Sequence, residues 1–394
     1  VKIKLSSRVQ RVKPSPTLAV TALAAKLRSE GKDVIGLGAG EPDFDTPEHI
    51  KQAGIEAIRS GQTRYTAVDG TAELKQAIID KFQRDNGLNY NPEQILVSCG
   101  GKQSFYNLCQ ALIDPEDEVI IPAPYWVSYP DMVLLADGKP VIVAASQEQG
   151  FKLLPEQLEA AITDRTRLFV INSPSNPTGV AYSLEELRAL GEVLKKHPDI
   201  LIATDDMYEH IVFGDNKFVN ILDACPELNE RTIVLNGVSK AYSMTGWRIG
   251  YAGGPADLIK AMKKIQSQST SNPTSISQAA SVAALNGDQS CIAEMLKAFE
   301  QRHAFVVERL NSIDGISCLP SDGTFYSFPD VRGVVEKLGL ADDTALGEYL
   351  LNEAGVAVVP GSAFGLSGHI RLSFATSMEN LEKSLDRIAA VVNK

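Results

Sequence analysis

Residues 168–179 read Leu168-Phe169-Val170-Ile171-Asn172-Ser173-Pro174-Ser175-Asn176-Pro177-Thr178-Gly179, a wholly apolar run that breaks into a turn rich in proline, asparagine and glycine. A run with no polar face suits a strand buried on both sides, as in a parallel sheet covered by helices. Similar runs flank it: Ile95-Leu96-Val97, Val119-Ile120-Ile121 and Val141-Ile142-Val143 before, then Ile200-Leu201-Ile202-Ala203, Ile233-Val234-Leu235 and Ile249-Gly250-Tyr251 after. Amphipathic stretches such as 102–113 and 183–196 lie between several of them. This alternation predicts an α/β fold, a mainly parallel seven-stranded sheet flanked by helices.

Working outward, the chain of 394 residues exceeds the roughly 250–300 at which a single core stops growing, so two domains are expected. Ser15-Pro16 offers an N-cap and a first-turn proline, after which Leu18, Val20, Leu23, Ala24 and Leu27 recur at helical spacing until Gly31. Thr46-Pro47 repeats that start signal. After residue 289 the pattern changes to a long amphipathic helix (Ile292, Met295, Leu296, Phe299), and Thr376 with Glu379 reads as a capping box for the last one. The expected division is an arm and helix over 1–45 completing a smaller α+β domain, a large domain over 46–289, and the small C-terminal domain over 290–394.

Composition excludes several classes. Apolar residues make up 44% and charged residues 22%, which argues against disorder. A formal charge of -11 disfavours nucleic acid or anionic membrane as partner. The five cysteines are scattered, with no C-x-x-C pair and no histidine at metal-ligand spacing, so buried thiols and no metal are expected. There is no membrane-spanning window, and Val1-Lys2-Ile3-Lys4 lacks the apolar core of a signal peptide, so a cytoplasmic location is expected.

In open α/β sheets ligands bind beyond the carboxyl ends of the strands. After Val97 come Gly100, Gly101 and Lys102, a glycine pair opening a helix whose bare N–H groups can hold a phosphate. This matches neither the ATP nor the NAD glycine motif. Tyr125-Trp126 follows a proline-stiffened loop and suits either ring stacking or the core. Asn176 stands in a turn that would be ordinary without its neighbours. Asp205, ending an apolar strand, is costly as a buried carboxylate unless it meets a cation or donors, yet an N-cap would account for it equally well. Tyr208 follows three residues later. Lys240 lies beyond a buried strand, with Arg248 eight residues on, and a desolvated lysine is a candidate nucleophilic amine.

Asn176-Pro177-Thr178-Gly179, then Asp205 with Tyr208, then Ser239-Lys240 with Arg248, resembles the class I aminotransferases of the fold type I pyridoxal phosphate family. The likeness runs from Lys13-Pro14-Ser15 through Gly40-Glu41-Pro42-Asp43 to His369-Ile370-Arg371-Leu372-Ser373-Phe374, and is greatest to the bacterial aspartate aminotransferases, some of which also accept prephenate. The resemblance implies that Lys240 holds pyridoxal 5'-phosphate as an aldimine and shuttles the proton in ping-pong transamination. It implies Asp205 at the pyridine nitrogen, Tyr208 and Asn176 at the ring oxygen, and Trp126 stacked on the ring. Gly100, Gly101 and Arg248 would hold the phosphate; Ser239 would point elsewhere if its strand continued. Tyr65 would reach the neighbouring subunit's phosphate in a homodimer with shared sites. Arg371 and Gly40 would receive the substrate α-carboxylate, with Lys102 and Lys13 matched to its distal carboxylate and to prephenate use. Aspartate:2-oxoglutarate transamination is the expected reaction. An aminotransferase for aromatic or small neutral amino acids, a β-lyase, or a pyridoxal phosphate-binding amino-acid sensor are the alternatives. Ala123-Pro124 and Asn176-Pro177 are expected to be cis.

Overall fold

The computed structural model describes residues 3–393; Val1 and Lys2, on which part of the reading of the chain's start rests, lie outside the described residues, as does Lys394. All seven apolar runs enter one sheet: β1 (Ile95–Ser98), β2 (Glu118–Ala123), β3 (Lys139–Ala144), β4 (Thr166–Asn172), β5 (Leu201–Asp205), β6 (Thr232–Gly237) and β7 (Gly250–Gly253), in the spatial order β1-β7-β6-β5-β4-β2-β3. Only β7 runs antiparallel to its neighbours. Because it lies between β1 and β6, its two reversals leave β1 running with the rest, and the carboxyl ends of six strands open on one side.

Strand side chains alternate between the two faces. Ile95, Val97, Ile120, Phe169, Ile171, Ile202 and Val234 enter one core, while Leu96, Val119, Ile121, Leu168, Val170, Ala203, Ile233 and Leu235 enter the other. The sequence pattern implied that every run is covered on both faces, and β3 departs from this. It forms the sheet edge, and Ile142 is left 40% exposed. A third core gathers Met295, Phe299, Phe325, Val356, Leu372 and Leu385 with Ile35 and Leu37 from near the N-terminus. Strand Ile35–Gly36 joins it by pairing parallel with Val356–Ala357, and Ile370–Ser373 pairs antiparallel with both Val359–Pro360 and Tyr326–Ser327. Among the described residues no helix is long and apolar enough to cross a membrane.

Three local expectations are corrected. Thr46 does not cap a helix: Pro47 is the N-cap residue, and the Thr46 hydroxyl instead donates to the Ser243 carbonyl and accepts from the Trp247 indole. The last helix is capped by Ser377, whose hydroxyl accepts from the Asn380 N–H, so Thr376 stands one residue too early for the box with Glu379. Ala123-Pro124 is cis as expected, but the second cis bond is Ser173-Pro174, not Asn176-Pro177.

Gly250 is where the antiparallel strand meets the start of helix Gly101–Leu112. A Cβ there would sit 2.2 Å from the Gly101 nitrogen and 2.4 Å from the Gly100 carbonyl carbon, so backbone would have to move. Gly250→Ala is therefore expected to lower stability by about 1–3 kcal/mol or more, read from the midpoint of denaturant unfolding.

Candidate active site

A cavity of about 370 Å³ opens at the carboxyl ends of β4, β5 and β6, between the sheet and the third core. Its lining contains Gly40, Gly101, Lys102, Trp126, Asn176, Asp205, Tyr208, Lys240, Arg248 and Arg371, so ten of the residues singled out from sequence meet in one place. Gly100 stands directly behind the wall. Tyr65 and Lys13 are not brought in: Tyr65 is 91% exposed, and Lys13 is exposed on the arm beside Asp131.

Lys240 follows β6 on a loop whose small residues let the backbone turn. Its ammonium donates to the Gly40 carbonyl. Burial pulls the amine down to about 8, an effect opposed by the Glu41 and Asp205 carboxylates and reinforced by Arg371 and Arg248. The condition under which Ser239 would point elsewhere, a continuing strand, is not met: β6 ends at Gly237, and Ser239 lines the cavity.

Asp205 is the last residue of β5 and lies in register with Asn172 at the end of β4. The Asn172 amide donates to the Asp205 carbonyl at 2.8 Å while its oxygen accepts from the Asn176 N–H at 2.8 Å, which fastens the turn after β4 to the end of β5. Burial raises the Asp205 pKa; the Tyr129 hydroxyl, the Met207 N–H and the Lys240 charge all favour the ionised form. Tyr208 and Tyr326 share a hydroxyl–hydroxyl hydrogen bond of 3.0 Å.

Arg371, on strand Ile370–Ser373, is 2% exposed. Its Nη1 donates to Asn176 Oδ1 at 2.9 Å and its Nη2 to the Gly38 carbonyl at 2.7 Å, with the guanidinium 4.4 Å from the Tyr326 ring centre. The Nε is buried without a partner. At the other end, Gly100 has φ 86° and caps its helix with no side chain. Arg248 lies across it, donating to the Cys99 carbonyl at 3.3 Å, and a Cβ on Gly100 would come within 2.3 Å of Nη2. Bare helix N–H groups with a guanidinium form an anion cradle. Lys102 sits 5.2 Å from the Trp126 ring centre, its pKa lowered by burial and then by the charge on Arg248.

Sequence reasoning missed Tyr129, Tyr326, Asn172, Glu41 and Thr245. Asn172 and Glu41 belonged to motifs already quoted; Tyr129 had only its place three residues after Trp126, and Tyr326 had no local signal. Behind the site, Glu209 is paired with Lys81, the two side chains 3% and 1% exposed, and accepts from Asn236 at 2.7 Å and Asn86 at 2.8 Å. Asp85, Glu209 and His210 bring possible ligand atoms within 4.8 Å of one another, but the Lys81 ammonium already serves as the cation there.

A half-buried lysine beyond one strand, a half-buried aspartate ending the next, and arginines at the two ends of the cleft come together as the resemblance to the class I aminotransferases implies. The family described as aminotransferase class I and II matches residues 32–388, and the chain belongs to it. It is 65% identical over 397 residues to the aspartate/prephenate aminotransferase of Nitrosomonas europaea, covering 99% of this chain and 100% of the relative. Among solved structures, the aspartate aminotransferase of Rhizobium meliloti superposes with a TM-score of 0.95 at 53% identity, covering 100% of this chain and 99% of that one. The aspartate aminotransferase of Thermus thermophilus with maleate gives 0.93 at 44%, covering 99% and 100%.

Because burial disfavours the ammonium, the free-amine fraction of Lys240 rises as pH passes about 8. Acetylation of the cofactor-free protein by acetic anhydride, followed at the Lys240 peptide by mass spectrometry, should show a midpoint there, against roughly 10.4 for an ordinary lysine. Lys81→Met strands the Glu209 carboxylate and should cost about 3–5 kcal/mol, most of it recovered in Lys81→Met with Glu209→Leu, as calorimetric unfolding would report.

Proposed function

We propose that this chain is an aspartate:2-oxoglutarate aminotransferase working by ping-pong transamination with pyridoxal 5'-phosphate, and that it also aminates prephenate. The observation that carries the reading is the meeting of Lys240, Asp205, Asn176, Arg248 and Arg371 in the lining of one cavity, with the Lys240 amine drawn down to about 8 by desolvation. The names of the relatives support the reaction, and maleate with the Thermus thermophilus enzyme supports a dicarboxylate substrate.

The residues present fit the cofactor. The Gly100–Arg248 cradle, in which a Cβ would clash, suits a phosphate. Lys240 would hold the aldehyde through its amine, and Trp126 would stack on the ring. When bound, the cofactor supplies an electron sink for a carbanion at the substrate Cα. Asp205, already receiving hydrogen bonds from Tyr129 and Met207, would hold the pyridine nitrogen protonated. Asn176 accepts from Arg371 through its oxygen, which leaves its amide N–H free to donate to the ring oxygen beside Tyr208. Arg371 would bind the α-carboxylate with its planar fork, near the Gly40 backbone. Lys240, as a free amine, would take the proton from the substrate Cα.

Lys102 at the cavity mouth and Lys13 on the arm are proposed to favour the distal carboxylate and prephenate. Tyr65, projecting from its own chain, is proposed to complete the neighbouring site in a homodimer. All five cysteines are unpaired, which suits a cytoplasmic protein.

Purified protein with pyridoxal phosphate should show the visible absorption band of a lysine-bound cofactor, which Lys240→Ala should replace with that of a different species, together with a fall of about a thousandfold or more in aspartate turnover. Glutamate should convert prephenate to arogenate. Absence of that product while oxaloacetate turns over would end the prephenate reading alone. A panel of amino donors in single half-reactions separates aspartate from aromatic or neutral donors and from β-elimination.

A further inference from the structure

Outside the cavity, Asp43 and Arg302 meet fork to fork, Nη1 on Oδ1 at 2.7 Å and Nη2 on Oδ2 at 2.9 Å. The Arg302 side chain is 13% exposed, and its guanidinium lies 5.4 Å from the ring centre of Phe44 and 5.7 Å from that of Phe299. Those two rings meet edge to face at 5.7 Å. A planar guanidinium held bidentately against two aromatic rings is more closely constrained than an ordinary surface pair, and lysine cannot reproduce it.

Its place in the chain makes this contact consequential. Residues 40–46 are the crossing between strand Ile35–Gly36, which belongs to the third core, and helix Glu48–Arg59, which packs against helix Ser275–Asn286 and sends Ile50 into the core on one face of the sheet. On the sheet side the crossing is tied at three points. The Gly40 carbonyl receives Lys240, Glu41 accepts from the Thr245 hydroxyl at 2.8 Å, and Thr46 bonds Ser243 and Trp247. On the other side it is tied through Asp43 and Phe44 to helix Ser290–Asn311, whose Phe299 is fully buried in the third core. Two residues before Gly40, the Gly38 carbonyl receives Arg371 at 2.7 Å. The backbone that meets both Lys240 and Arg371 is thus a short segment held between two packed units.

We infer that Arg302 and Asp43 are positioning residues that set the Gly38–Gly40 backbone against Arg371 and Lys240, and so govern how tightly the amino-acid substrate is held. This rests on the proposed reaction only for its substrate. Neither residue lines the cavity, so their loss should act on binding rather than on the proton-transfer step.

The test uses the holoenzyme and the variants Arg302→Met, Arg302→Lys, Asp43→Asn and the Met/Asn double. Methionine keeps the stem between the two rings. Arg302→Met should raise the aspartate KM about tenfold with kcat changed by less than about twofold, and leave the visible band of the lysine-bound cofactor unchanged. Asp43→Asn should match it, the double variant should be no worse than either single, and Arg302→Lys should fall between. Maleate binding measured by calorimetry should weaken by the same factor, a readout that needs no turnover. Unchanged KM and maleate affinity, additive single effects, or an equal fall in kcat overturn the inference. If the wild-type protein does not transaminate, the proposed reaction fails, and the maleate titration still decides the positioning role.

Discussion

A strand covered on both faces can carry a polar side chain only where it leaves the sheet. β4, β5 and β6 are nearly continuous apolar runs, and each becomes chemically interesting at its carboxyl end: Asn172 and Asn176, Asp205 and Tyr208, then Ser239 and Lys240. Since the strands run parallel in register, with Asn172 opposite Asp205, those ends come together without any long-range device. The cavity is a consequence of that packing constraint, and the third core supplies its other wall.

Charge balance is the second condition. The cleft gathers Arg248, Arg371, Lys240 and Lys102 in a chain whose formal charge is -11. Burial and mutual repulsion draw Lys240 toward the neutral amine, while Glu41 and Asp205 oppose them. A desolvated carboxylate and a desolvated amine are each costly alone; near enough for their charges to offset, with Tyr129 and Met207 donating to the acid, they are tolerable and chemically poised. The acidic balance describes the exterior, and the site is a basic exception that suits a phosphate and a dicarboxylate. Glu209 and Lys81 repeat this logic behind the site, where an enclosed pair and two asparagine amides anchor the residue that directly follows Tyr208 in the turn after β5.

Much of this was legible in the linear chain because it depends on local rules. An uninterrupted apolar run has few alternatives to a covered strand, and all seven runs entered the sheet; cover failed chiefly at the edge strand β3, where Ile142 is exposed and Val141 and Val143 are half-buried, since edge position is not written in a strand's own residues. Glycines before a helix and a lysine after a strand are likewise local. The errors arose where a side chain had two uses. Thr46 could cap a helix or bond a distant carbonyl, and the tertiary contact with Ser243 and Trp247 won. For Ser239 the sequence left the direction open, and it lines the cavity because β6 stops at Gly237, a boundary that pattern alone places poorly.

The sequence by itself determined the class of fold, the family, and the identity of the residues at the strand ends, because apolar periodicity and motif order are properties of neighbours along the chain. Only the tertiary structure decided the partners. Tyr129 finds Asp205 across 76 positions, Tyr326 finds Tyr208 across 118, and Arg371 finds Asn176 across 195. Partners so far apart are selected by packing: helix Ser128–Leu135 against the sheet for Tyr129, and the third core against the sheet for Tyr326 and Arg371. Packing of the third core also brought Asp43 to Arg302, while Tyr65 is left exposed and outside the cavity lining of its own chain.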